Sequence, residues 1–110
     1  QVDAFIAELW QLMQSLPAYR GSTTFIITTD HGRGEGPVNW KRHGEDVVGA
    51  EGIWLAIIGP DTPALGERAN QRFTQSQVAQ TLARLLGEDW RSANAAAASE
   101  LPGAIGRRPR

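Results

Sequence analysis

The stretch that decides the fold is residues 23–44, TTFIITTDHGRGEGPVNWKRHG. Its first part, residues 23–29, is rich in β-branched side chains and has three consecutive apolar residues, Phe25, Ile26 and Ile27. A run of this kind is typical of a strand covered on both faces, as in the middle of an α/β sheet. The sequence therefore predicts a buried strand over 23–29 that ends at Asp30-His31-Gly32.

A glycine-rich loop over residues 32–52 separates this strand from a second apolar run. The run at 53–58, IWLAII, reads as another buried strand, and Gly59-Pro60 ends it. The loop has too many glycines to hold a long crossover helix, which a parallel return would need. If the two strands are neighbours, we therefore expect them to be antiparallel, with a functional or disordered loop between them.

Two amphipathic helices flank this strand–loop–strand segment. Apolar residues recur at helical spacing over residues 2–16, before Pro17, and again over residues 74–86. In the second helix, Thr74 and Gln77 have the spacing of a capping box, and Gly87 suits the C′ position. We expect one α/β unit over residues 1–91 and a flexible tail over residues 92–110, whose end carries a small basic tip, Arg107, Arg108 and Arg110.

Composition excludes several classes of protein. The chain has 110 residues, a formal net charge of −1 and no cysteine. It therefore has no basic footprint for nucleic acid, no disulfide and no thiolate metal site. The apolar run at 53–58 is too short to cross a bilayer. The chain begins with Gln1 rather than Met, so we expect that an upstream part has been removed, and the localisation stays open.

The chemistry of the chain concentrates in the same stretch, because both histidines, His31 and His43, lie in it. Asp30 and His31 follow the end of a predicted strand, where ligands bind in open α/β sheets. A carboxylate and an imidazole there could bind one divalent cation, with His43 as a further ligand. The alternative is a simple turn, in which Asp30 caps backbone amides and His31 lies on the surface.

The ordered set of segments resembles a known family. IITTDHGRG, a short loop, HGEDVVGAEGIWLAIIGPDTP and TQSQVAQTLARLLG together look like the C-terminal part of the alkaline phosphatase superfamily. That superfamily includes phosphatases, nucleotide pyrophosphatase/phosphodiesterases, phosphoglycerate mutases and sulfatases. The resemblance covers roughly residues 5–90. It implies the C-terminal portion of a three-layer α/β/α domain, with a mixed sheet in which strand 53–58 is antiparallel.

The resemblance also implies roles for individual residues. Asp30 and His31 match the pair that binds one metal of a bimetallic site, and His43 matches a ligand of the other metal. The two ions would be divalent, with zinc expected and manganese or iron as alternatives; a sulfatase-like protein would hold calcium instead. Lys41 could match a sulfate-binding lysine and Arg42 could contact an anionic ester substrate, although exposed loop charges are the alternative for both.

The family's nucleophile and remaining aspartate ligands have no counterpart in this sequence. The resemblance therefore implies a C-terminal fragment of a metal-dependent phosphate- or sulfate-ester hydrolase, completed by the N-terminal half of the same domain. An isolated chain of this kind is expected to be inactive. The alternative is a non-catalytic α/β module that keeps the fold and uses its loop for binding or assembly.

Overall fold

The computed structural model describes residues 1–69 and 71–106. The helices and strands, in chain order, are α1 (Val2–Ser15), β1 (Phe25–Thr28), α2 (Gly36–Asn39), β2 (Leu55–Ile58), α3 (Ser76–Leu85) and α4 (Trp90–Ala93). The protein is thus a mixed α/β chain. It divides into two compact units: Phe25–Ile58 forms one, which we call the strand–loop unit, and Gln1–Thr24 with the described residues from Gly59 onward forms the other, the helical unit.

In the strand–loop unit, β1 and β2 form a two-stranded antiparallel sheet in which Phe25 pairs with Ile58 and Thr28 with Leu55. The antiparallel prediction is confirmed, but both strands are shorter than the predicted 23–29 and 53–58. At one end, the Thr28 hydroxyl donates to the Trp54 carbonyl at 2.8 Å. At the other, the register would bring Pro60 towards Thr23, and proline has no N–H to extend the ladder.

The two strands are only half covered. In each, three residues are half-buried and the fourth is exposed. Across the described part of the chain, the hydrophobic residues that are fully buried are Val47, Leu101 and Ala104, none of which lies in a strand. The expected strand cover on both faces is therefore absent from the described residues, and the α/β character is established without the three-layer arrangement.

Helix α1 ends close to the predicted position, before Pro17. The chain after it is fastened to its last turns, because Arg20 Nε donates to the Gln14 carbonyl at 2.8 Å and the Gly21 N–H donates to Gln14 Oε1 at 3.1 Å. No residue of α1 is buried, and within the helical unit α1 packs against neither α3 nor α4. Its apolar stripe is only partly covered: Val2, Phe5 and Leu12 are exposed, whereas Ile6, Leu9 and Met13 are half-buried.

Both ends of α3 use the residues that the sequence singles out. Before the helix, the Gln77 side chain accepts from the Thr74 N–H at 3.0 Å, which is the reciprocal half of a capping box. After it, Gly87 has φ +86°, and the N–H groups of Glu88 and Gly87 donate to the carbonyls of Ala83 and Arg84. These two bonds form a complete Schellman motif.

The buried face of α3 is polar. Gln80 and Thr81 are 2% and 0% exposed. The Thr81 hydroxyl donates to the Gln77 carbonyl at 2.8 Å and accepts from the Leu101 N–H at 2.9 Å. The Gln80 amide donates to Asp89 Oδ1 at 2.8 Å and accepts from the Arg91 N–H at 3.1 Å. A buried polar side chain is tolerated when its groups are paired in this way.

Through these bonds, residues beyond the predicted domain boundary at residue 91 pack against α3. Residues 90–93 form α4, and Leu101 and Ala104 are buried. Little in the sequence indicates this burial, because the alanine run at 95–98 has few side-chain groups to bury. The predicted basic tip lies outside the described residues. No helix in the described part of the chain is long and apolar enough to cross a membrane.

Replacement of Gly87 tests the end of α3. A Cβ at this position would meet no atom within 4 Å, so the cost of Gly87→Ala is the left-handed backbone alone. We expect a loss of about 1 kcal/mol in the free energy of unfolding, measured by urea denaturation. Gly87→Asn is the matched control, because asparagine tolerates this conformation, and it should cost less. An equal loss in both variants would contradict the assignment.

Asp89 makes stability depend on pH at the start of α4. The Gln80 amide, then the Arg91 N–H, and more weakly the Arg84 and Arg91 guanidinium groups hold the pKa of Asp89 below its ordinary value. A carboxyl whose pKa is depressed on folding stabilises the native state above its unfolded pKa, and this contribution is lost as the pH falls through the folded pKa.

We therefore expect Asp89→Asn to lower the melting temperature at pH values above the ordinary aspartate pKa of about 3.9. The variant should match the wild type once the pH falls below the depressed pKa that Asp89 has in the folded state. Thermal unfolding across this range measures the difference. The matched control is Glu67→Gln at an exposed position. A deficit of Asp89→Asn that stays constant into strong acid would show that the charge of Asp89 is irrelevant.

Candidate functional site

The Asp30-His31-Gly32 turn is held by close backbone packing within the strand–loop unit. The Gly32 N–H donates to the Ala50 carbonyl at 2.7 Å. A Cβ on Gly32 would overlap the carbonyl oxygens of Gly49 and Gly52, so the two chain segments touch backbone to backbone. Gly49 has φ +96°, a conformation that glycine adopts without strain. Glycine at these positions lets residues 49–52 lie directly against the residues that follow β1.

A second tether returns the chain to the turn. The Gly34 N–H donates to the Arg42 carbonyl at 2.9 Å, and a Cβ on Gly34 would collide with Asn39 and Val47. Gly34 itself is buried. The short helix α2 therefore folds back over Gly34, and the residue after Arg42 is carried towards the end of β1.

The result is a stacked pair of imidazoles. The ring centroids of His31 and His43 lie 3.9 Å apart, with an angle of 15° between the ring planes. The two side chains are twelve positions apart in the sequence. The sequence predicts that both histidines belong to one site, and the structure places them in contact.

Local bonds orient Asp30 and His31. His31 Nδ1 lies 2.5 Å from the Gly32 carbonyl oxygen. A carbonyl can only accept, so Nδ1 is the donor of this bond and Nε2 is the ring nitrogen left for another partner. That Nε2 lies 3.5 Å from Asp30 Oδ2, and the other oxygen, Oδ1, accepts from the His31 N–H at 3.0 Å. The last bond also belongs to the alternative interpretation, in which Asp30 caps a backbone amide.

The distance between the donor atoms of Asp30 and His31 suits two ligands of one cation. Bonds of about 2.0–2.2 Å at tetrahedral angles separate neighbouring donor atoms by about 3.3–3.6 Å, which includes the distance between Asp30 Oδ2 and His31 Nε2. Within residues 1–69 and 71–106, however, no group of three or more histidine and carboxylate side chains could hold a metal ion. The assignment of Asp30, His31 and His43 as ligands stays a prediction.

The two predicted substrate-binding residues have local partners. Lys41 Nζ lies 5.2 Å from the centroid of a Trp40 ring, in cation–π geometry. Arg42 Nη2 lies 3.2 Å from Asp46 Oδ2 in an ion pair. Both side chains are on the surface. Their predicted contact with an anionic substrate stays a prediction, and the structure gives each positive charge a neighbour within the loop.

A cleft of about 230 Å³ lies next to these residues in the strand–loop unit. Its lining is Glu35, Asn39, Arg42, Asp46, Val47 and Val48. Glu35, Asn39, Val47 and Val48 have no role in the interpretation of the sequence. The adjacent valines, Val47-Val48, within an otherwise polar loop are the signal that could have indicated an apolar wall there.

A larger cleft, of about 500 Å³, lies in the helical unit beside Gln80, Asp89 and Arg91. Three of its lining residues, Gln80, Asp89 and Arg91, bond to one another, as described for α3 and α4.

Comparisons of this chain with family models, with curated proteins and with solved structures find no match. The chemistry of the candidate site therefore depends on its own geometry.

Replacement of Gly32 tests how the site is positioned. We expect Gly32→Ala to separate residues 49–52 from the turn, because the new methyl group would overlap two carbonyl oxygens. The readout is the pair of histidine ring resonances in an NMR spectrum, whose mutual ring-current shifts should be lost. Val38→Ala is the control within the same loop, because the Val38 side chain is 77% exposed. Unchanged histidine resonances in Gly32→Ala would contradict the packing argument.

Proposed function

We propose that this chain supplies metal ligands to a hydrolase of phosphate or sulfate esters. Asp30 and His31 would bind one divalent cation and His43 would bind a second. The nucleophile would come from a segment outside this chain. The observation that carries the proposal is the orientation of His31, whose Nε2 lies 3.5 Å from a carboxylate oxygen of Asp30 while its Nδ1 donates to a backbone carbonyl.

That orientation is the one that metal-binding histidines use. Such a histidine donates its second ring N–H to a carbonyl, a carboxylate or water, which fixes the ring and makes the ligating nitrogen more basic. Gly32 provides this carbonyl for His31. A histidine that lies in an exposed turn and binds no ligand does not require a ring fixed in this way. The Asp30 side chain is 87% exposed, so its carboxylate is accessible to an ion from solution.

The stacking of the two rings supports separate roles for His31 and His43. The lone pair of a ring nitrogen lies in the plane of that ring. Two rings 3.9 Å apart and nearly parallel therefore direct their lone pairs into separate planes, which suits two neighbouring cations better than one. Ions in two-metal hydrolases lie about 3.5–4 Å apart, a spacing similar to that of the rings.

The incomplete burial of apolar surface supports the placement of the nucleophile in a segment outside this chain. Half-covered strands and a partly exposed α1 stripe leave apolar surface that a larger domain would bury. Of the hydroxyl residues near the site, Thr28 is engaged with the Trp54 carbonyl. Bound cations would polarise the ester and activate water. The residues of this chain would bind those ions, and Gly32 would hold the His31 ring in place.

Metal analysis of the intact protein that carries this chain tests the proposal. We expect about two equivalents of zinc or manganese in the wild type and a loss of both in Asp30→Ala/His43→Ala. Asp3→Ala, an exposed carboxylate in the first turn of α1, is the control and should keep its metal. Mass spectrometry of the dialysed proteins measures the metal content directly.

Three outcomes would count against parts of the proposal. Metal content unaffected by the double substitution would show that the ligand assignment is wrong. Metal bound by the intact protein without hydrolysis of p-nitrophenyl phosphate or sulfate would favour a non-catalytic module. Turnover of either ester by the isolated 110-residue chain would contradict the placement of the nucleophile outside it.

A further inference from the structure

The cleft lined by α2 and residues 46–48 adjoins the proposed metal ligands. Arg42, one of its lining residues, directly precedes His43, and the Arg42 carbonyl accepts from the Gly34 N–H at 2.9 Å. His43 in turn stacks on His31. Consecutive Cα atoms are about 3.8 Å apart, so a residue that lines the cleft is the direct chain neighbour of one of the stacked imidazoles. A group attached to an ester held at the imidazoles could reach it.

The cleft has an excess of negative charge. Its single basic side chain, Arg42, is already paired with Asp46 at 3.2 Å. The other carboxylate, Glu35, precedes α2 and makes no capping bond. Among the residues that the structure describes, Glu35 has neither a hydrogen-bond nor an ion-pair partner. One uncompensated carboxylate therefore remains available to a ligand.

The other walls of the cleft favour an organic ligand. Val47 is 6% exposed and Val48 lies beside it on the surface, so both can contact methylene or methyl groups. Asn39 adds an amide that can accept or donate a hydrogen bond. A hard metal ion would prefer several oxygen ligands and would gain nothing from the valines.

We propose that this cleft binds an organic ammonium group, with Glu35 as the residue that selects it. The inference deepens the proposed function and rests on it: the ammonium belongs to the alcohol portion of the ester substrate. Glu35 holds the positive charge, and Val47 and Val48 contact its carbon stem. Arg42, neutralised by Asp46, closes one side of the cleft and does not recruit an anion.

Binding of ethanolammonium to the 110-residue chain tests the cleft without requiring activity. In spectra of methyl-labelled valines, we expect saturable shifts at Val47 and Val48 and none at Val2 and Val78, which lie in α1 and α3. Glu35→Gln should weaken binding about fourfold, the effect of one charge at about 5 Å in water. Glu67→Gln, with an exposed carboxylate in the helical unit, is the matched control and should bind as the wild type does.

Three results would overturn the inference: no saturable shift at Val47 and Val48, equal shifts with acetate or magnesium chloride, or unchanged affinity in Glu35→Gln. In the intact protein, phosphoethanolamine should be hydrolysed with a higher kcat/KM than ethyl phosphate, by about fourfold, and Glu35→Gln should remove the preference. Equal rates with both esters would overturn the ammonium assignment while leaving the hydrolase proposal intact. Absence of metal and of all ester hydrolysis would instead overturn the proposed function.

Discussion

Backbone-to-backbone contact at glycine is the constraint on which the candidate site depends. Gly32 lies against the carbonyls of Gly49 and Gly52, where no side chain would fit. This contact fixes the path of the chain after β1 and directs Asp30 and His31 at the end of that strand. It also explains why the loop has a defined path with little apolar burial, since Val47 is its one buried hydrophobic residue within the described part of the chain. Any side chain at these positions would have to move the backbone.

The helical unit is held by a different kind of interaction. Its most buried side chains are polar, and Thr81 and Gln80 bond to segments that follow α3 in the chain. Paired hydrogen bonds specify one arrangement of partners, whereas apolar contacts of similar size tolerate several. A short α4 and a segment rich in alanine can therefore take a defined place beside α3. The same unit leaves part of the α1 stripe exposed, because Val2, Phe5 and Leu12 are not covered.

Local patterns in the sequence predicted the parts of the fold that depend on local chemistry. The helices over residues 2–16 and 74–86 follow from periodicity, and Gly87 follows from its need for a left-handed backbone. The strand pairing follows from the absence of a crossover. The helices α2 and α4 were missed because each is a single short turn stabilised by contacts far along the chain, such as the bond between Gln80 and Asp89.

The candidate site, like the fold, has one part that the local sequence predicts and another part that it does not predict. Proximity of Asp30 and His31 could be predicted, because adjacent residues at a strand end cannot separate far. The contact between His31 and His43 could only be guessed from their shared loop. It depends on the hydrogen bond that the Gly34 N–H donates to the Arg42 carbonyl, and no residue pattern encodes that pairing. The lining of the cleft by Glu35 and the valines was unpredictable for this reason too, since it needs α2 to fold over Gly34.

The loop over residues 30–52 has an excess of negative charge. Aspartate and glutamate outnumber lysine and arginine between residues 30 and 52, and Arg42 and Lys41 already have partners in Asp46 and Trp40. An anionic ester would meet unfavourable charge in this loop unless cations were bound at Asp30 and His31. Under the proposed function, metal binding is therefore a precondition for substrate binding as well as for the reaction. The uncompensated Glu35 acts on the opposite end of the ester, where a positive group can offset it. One negatively charged loop would thus orient a substrate that carries charges of both signs.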